Sequence, residues 1–144
     1  MDEPMGSGTA VVWIDSRHAR ILRWRGRIVA EEIASEVPAH VLGTLHVRHD
    51  PSIRHGGSGS GQDQAEDRRN EHLRAFLARV ADRLADVELL EIIGTGGLGG
   101  RLAALLRRRR GATAQPILVV ERSNPLTDRQ LAARLRQRLR VAAA

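Results

Sequence analysis

The stretch 89–106, LLEIIGTGGLGGRLAALL, decides the fold. Leu89-Leu90-Glu91-Ile92-Ile93 is apolar at nearly every position, as a strand covered on both faces would be. Gly94-Thr95-Gly96-Gly97-Leu98-Gly99-Gly100 gives the backbone freedom for a tight turn. Leu98, Leu102, Leu105 and Leu106 then share one side of a helix, and Arg107–Arg110 close it where cations suit its negative end. A buried strand running through glycines into an amphipathic helix is a building unit of α/β architecture.

Upstream, Ala10-Val11-Val12-Trp13-Ile14 reads as another doubly covered strand, and Asp15-Ser16-Arg17 as a turn. A second strand follows at about His18–Arg25, with Leu22 and Trp24 pointing one way and Ile21, Arg23 and Arg25 the other. Arg25-Gly26-Arg27 turns the chain into a third strand, Ile28 to about Ala34. Glu36-Val37-Pro38-Ala39 ends this meander, and Val41–Val47 is a further short strand or an irregular lead-in. Residues 48–65 are rich in Gly and Ser and too poor in apolar side chains to pack, so a mobile loop is expected. From Glu66 to Asp86 the spacing is helical, with Leu73, Phe76, Leu77, Val80 and Leu84 on one stripe. Gln115–Glu121 is the last strand, and Asn124–Asp128 a turn and an N-cap. The final helix points Leu131, Leu135 and Leu139 inward and Arg134, Arg136, Arg138 and Arg140 mostly outward. The order βββ(loop)αβαβα predicts an α/β, three-layer domain whose mixed sheet of about five strands opens with an antiparallel meander. Residues 1–144 are expected to form a single domain, with 1–8 a flexible tail.

The chain has 144 residues, no cysteine and a formal charge of +6. Disulfides and thiolate metal sites are thereby excluded, which suits a cytoplasmic protein. No apolar stretch approaches a membrane span, and MDEPMGSG lacks the marks of a signal peptide. All cations are arginine, and the stretch 101–144 alone holds eleven of them against two acids. That excess predicts a basic face suited to phosphate backbones, with Arg54, Arg107–Arg110, Arg134 and Arg138 as candidate nucleic-acid contacts. The aromatics are only Trp13, Trp24 and Phe76, all at core-like positions, so binding would act through backbone and shape instead of base stacking.

Three other patterns carry chemistry. Gly94-x-Gly96-x-x-Gly99 matches a dinucleotide fingerprint between strand and helix, and Glu121 falls where a ribose-binding acid would sit. Nucleotide binding at Gly94, Gly96 and Gly99 is the alternative function, although no second mononucleotide half remains in the chain. Asp15 at the end of the first strand could be a nuclease carboxylate, but it lacks recognisable companions and is read as a turn former. His40, His46, His49 and His55 follow none of the standard ligand spacings. No metal and no cofactor are expected.

Taken together, the layout resembles a known one. VVWIDSRHARILRWRGRIVAEEIASEVP (11–38) is similar to the opening meander of the small bacterial translational machinery proteins. That family is itself similar to the middle domain of archaeal and eukaryotic class-1 peptide chain release factors and of pelota. LLEIIGTGGLGGRLAALL and ILVVERSNPLTDRQLAARL look like the same family's strand–glycine turn–helix and closing strand–helix. The resemblance implies a ribonuclease-H-like fold and association with the ribosome or tRNA. In release factors a Gly-Gly-Gln tripeptide before the long helix promotes peptidyl-tRNA hydrolysis. Gly61 and Gln62 match it, with Ser60 at the place of its first glycine, so Gly61 and Gln62 are the implied catalytic pair.

Overall fold

The computed structural model describes residues 8–36, 58–111 and 117–143, with the side chains of the second segment from 64 onward and of the third as far as 141. Five strands and three helices follow one another: β1 (Thr9–Ile14), β2 (His18–Trp24), β3 (Ile28–Ala34), α1 (Ser58–Arg83), β4 (Leu89–Gly94), α2 (Leu98–Arg110), β5 (Ile117–Glu121) and α3 (Asp128–Ala143). The strands form one sheet in the order β3-β2-β1-β4-β5. β1, β2 and β3 pair antiparallel, with Val11 opposite Leu22 and Leu22 opposite Ala30. β4 lies parallel to both β1 and β5, with Glu91 beside Val11 on one side and Leu118 on the other. The expected α/β class, antiparallel opening and mixed five-stranded sheet are all present.

Alternation along the strands divides the core in two. Ala10, Val12 and Ile14 of β1 and Ile92 of β4 face Phe76, Leu77 and Val80 of α1 and Leu102 and Leu106 of α2. Val11 and Trp13 of β1, Leu22 of β2 and Ile93 of β4 face Leu131 and Leu135 of α3. The result is three layers, with α1 and α2 over one face of the sheet and α3 over β1 and β2 on the other. β1 sits centrally and is buried along its whole length. Burying both faces explains its unbroken apolar run, which a half-exposed strand would not show.

α3 starts with a capping box. The Thr127 Oγ1 accepts from the Gln130 backbone N–H at 3.1 Å, and Gln130 Oε1 accepts from the Thr127 N–H at 2.8 Å. Leu126 and Leu131 flank it within one apolar cluster, a hydrophobic staple that fixes the angle of entry.

One boundary differs from the sequence reading. α1 begins at Ser58 instead of Glu66, so residues 58–65, including Gly61 and Gln62, have helical backbone in place of a loop. Gln62, Asp63, Gln64 and Ala65 carry no helix-breaking constraint, and glycine costs a helix only about 1 kcal/mol each. The expected tail, the Val41–Val47 segment, Arg54 and the four histidines from His40 to His55 lie outside the described residues, apart from Gly8.

Candidate nucleic-acid interface

Most candidate arginines turn out to hold the fold together. Arg107 Nη2 donates to the Ile117 carbonyl at 3.3 Å, at the start of β5. Arg109 pairs with Asp82 of α1 at 2.6 Å. Arg110 donates to the Leu84 and Val87 carbonyls at 3.0 and 2.5 Å, clamping the turn that follows α1. Of that run, Arg108 alone is exposed with no partner among the described residues.

Arg134 and Arg138 also point inward. Glu91 of β4, only 2% exposed, receives a hydrogen bond from Arg134 Nη1, and Arg138 Nε lies 3.4 Å from its other oxygen. A carboxylate inside a sheet is costly unless its charge is met. Two arginines one helical turn apart meet it. These two therefore leave the outward face assigned to them from sequence. The signal was present: a charged residue inside LLEIIG requires a cation, and positions 134 and 138 flank the Leu131–Leu135 stripe.

What α3 presents to solvent is a different set. Arg129, Arg136 and Arg140 are exposed and have no acidic partner among the described residues. At about 100° per residue they fall within roughly 40° of one another, opposite Leu131 and Leu135. The acid of this helix, Asp128, is taken by Arg20 of β2, whose Nη2 reaches Asp128 Oδ2 at 2.6 Å. That contact holds the Asp128 carboxyl below its ordinary value and raises Arg20. The outer face of α3 is thus cationic, with no acid among the described residues paired to these three arginines. Arg136 and Arg140 were expected on the outward side of this helix but not among the candidate contacts, and Arg129 was not named, although a helical wheel centred on Leu131 finds all three.

The glycine turn is occupied by the protein itself. Gly97 N–H donates to Glu121 Oε1 at 3.1 Å, so a carboxylate already stands at the start of α2 where a pyrophosphate would lie. Thr95 N–H donates to the Ile14 carbonyl and Arg122 N–H to that of Gly94, lashing together the ends of β1, β4 and β5. A Cβ on Gly94 would come within 3.0 Å of Gly99 N and of Ile14 Cγ2. Gly96, with φ +67°, supplies the turn, and a Cβ on Gly99 would press on Ile92 and Val119 at 3.3 Å. Each glycine of the fingerprint has a packing or conformational reason to be there.

Asp15 closes its turn as expected. It accepts from the backbone N–H groups of Arg17 and His18 at 2.8 and 2.9 Å and from Trp13 Nε1 at 3.0 Å. Burial opposes its ionisation, but these hydrogen bonds outweigh burial and hold the carboxyl below its ordinary value. Among the described residues no His, Asp or Glu group converges to hold a metal. A cleft of about 440 Å³ beside the end of α1 is lined by Arg23, Arg25, Glu31, Asp82, Arg83 and Asp86. Its charges are mutually paired: Arg23 with Asp86 at 3.2 Å, Arg83 with Glu31 at 2.7 Å, and Asp82 with Arg109. It is a polar latch between hairpin and helix. No helix among the described residues is long and apolar enough to cross a membrane.

In comparison with known proteins, no protein-family model and no curated protein sequence matches this chain.

Proposed function

We propose that this protein is a cytoplasmic ribosome- or tRNA-associated binding protein that docks on RNA through the outer face of α3. The observation that carries this reading is the stripe Arg129, Arg136 and Arg140, exposed and without an acidic partner among the described residues, on a helix whose opposite side is fixed in the core. Arginine in such a setting favours phosphate, through its planar fork of donors and weak hydration. The resemblance of the sequence to release-factor middle domains points in the same direction, while a shared layout alone says nothing about activity.

A hydrolytic role would require Gly61 and Gln62 at the tip of a loop, and their backbone lies in the opening turns of α1. A nucleotide at Gly94–Gly99 would have to displace Glu121 from Gly97. Co-sedimentation with ribosomes at low and raised salt tests the reading. The chain is expected to pellet at low salt and to be released as salt rises, because phosphate contacts release counterions. Replacing Arg129, Arg136 and Arg140 together by Gln is expected to reduce pelleting about tenfold. Failure of the unaltered chain to pellet at low salt refutes the proposal.

A further inference from the structure

We infer that the α3 stripe takes double-stranded stretches of a folded RNA, gripping the sugar–phosphate backbone without reading bases. This rests on the RNA-docking reading above and names its ligand.

Arg129 and Arg136 are about 10 Å apart along the helix axis and Arg136 and Arg140 about 6 Å, so the three cations span roughly 16 Å of straight helix. A duplex carries about one charge per 1.7 Å of its axis, twice the density of one strand. A rigid row of this length therefore meets phosphates on a duplex without adjusting the ligand. A flexible single strand would have to be ordered to match it, at a cost in entropy.

Single strands are held by stacking their bases on aromatic platforms. Trp13 is 2% exposed and Phe76 fully buried, Trp24 is half-buried, and the chain has no tyrosine. α3 offers no aromatic platform: its exposed side chains are those of Asp128, arginine, alanine, glutamine and Val141. On that face only Arg and Gln could read bases, and the deep, narrow major groove of A-form RNA keeps them from the edges they would pair with. What remains is recognition of shape and charge, the manner in which A-form RNA is held across its shallow minor groove. An anionic membrane is a poorer fit, because a basic helix binds membranes by inserting its apolar side. Leu131 and Leu135 are fully buried beneath α3 and unavailable for that.

Fluorescence anisotropy with a short mixed-sequence RNA duplex, the same RNA as a single strand, and the equivalent DNA duplex tests the inference on the intact chain. The RNA duplex is expected to bind at least tenfold tighter than the single strand, and tighter than DNA. The R129Q/R136Q/R140Q variant is expected to lose tenfold or more, with the slope of log affinity against log salt lowered by about two to three. R101Q removes one exposed charge from α2, on the other side of the sheet, and should leave binding within twofold. Equal binding to single strand or to DNA overturns the inference, as does an equal loss per charge in the α2 variant or equal capture by anionic vesicles. If ribosome pelleting depends on the stripe but duplex preference is absent, the inference falls and the broader reading stands. Duplex preference without pelleting does the reverse. A circular dichroism melt of each variant separates lost binding from lost fold.

Discussion

Arg134 and Arg136 occupy neighbouring places in the same helix and do opposite things. Arg134 meets the buried carboxylate of Glu91, and Arg136 faces water. Arg134→Gln is expected to destabilise the protein by about 2–3 kcal/mol, below the 3–5 kcal/mol of a fully buried pair because Arg138 still stands beside the carboxylate. Arg136→Gln should change stability by less than about 0.5 kcal/mol. Urea unfolding of the two variants checks the contrast. Gly94 and Gly96 invite the same treatment. Gly94→Ala forces a Cβ against Gly99 N and Ile14 at 3.0 Å and should cost about 1–3 kcal/mol through overpacking. Gly96→Ala meets no atom within 4 Å and should cost only the left-handed backbone strain, about 1–2 kcal/mol. Thermal melts give both, and added nucleotide is expected to raise neither midpoint.

α3 is held at its start by three devices: the Thr127–Gln130 box, the Leu126–Leu131 staple, and the pairing of Asp128 with Arg20. Thr127→Ala removes one acceptor and is expected to cost about 1 kcal/mol, read by chemical denaturation. Because α3 is the one described helix on this face of the sheet, a misplaced start would move the whole arginine stripe. RNA affinity of Thr127→Ala should therefore fall slightly, while its maximum extent of binding is unchanged. α1 shows the limit of reading elements from pattern. Apolar spacing marks a helix only where one side is buried, so the stretch Ser58–Ala65, with no large apolar residue, gave no periodic signal although its backbone is helical.

For the molecule as a whole, Asp15, Asp86 and Asp128 link folding to pH. Hydrogen bonds from Trp13, His18 and Arg17 overcome burial at Asp15, that from Arg23 overcomes burial at Asp86, and the one from Arg20 acts on Asp128. All three carboxyls are held below their ordinary value, so their stabilising contributions are complete above the unfolded value of about 3.9. They are lost as pH falls through the lower folded values. The melting temperature is expected to be level from neutrality to about pH 5 and to fall below about pH 4, and Asp15→Asn should flatten that acid limb. The alternating strands, the apolar stripes of three helices, the Asp15 turn and the N-cap before α3 were determined by sequence, because each depends on residues close along the chain. The fate of the charges was decided only by tertiary structure. Glu91 meets Arg134 across 43 positions and Glu121 meets Gly97 across 24. Local spacing carries no record of which cation a distant carboxylate will claim, and so none of which arginines are left for a ligand.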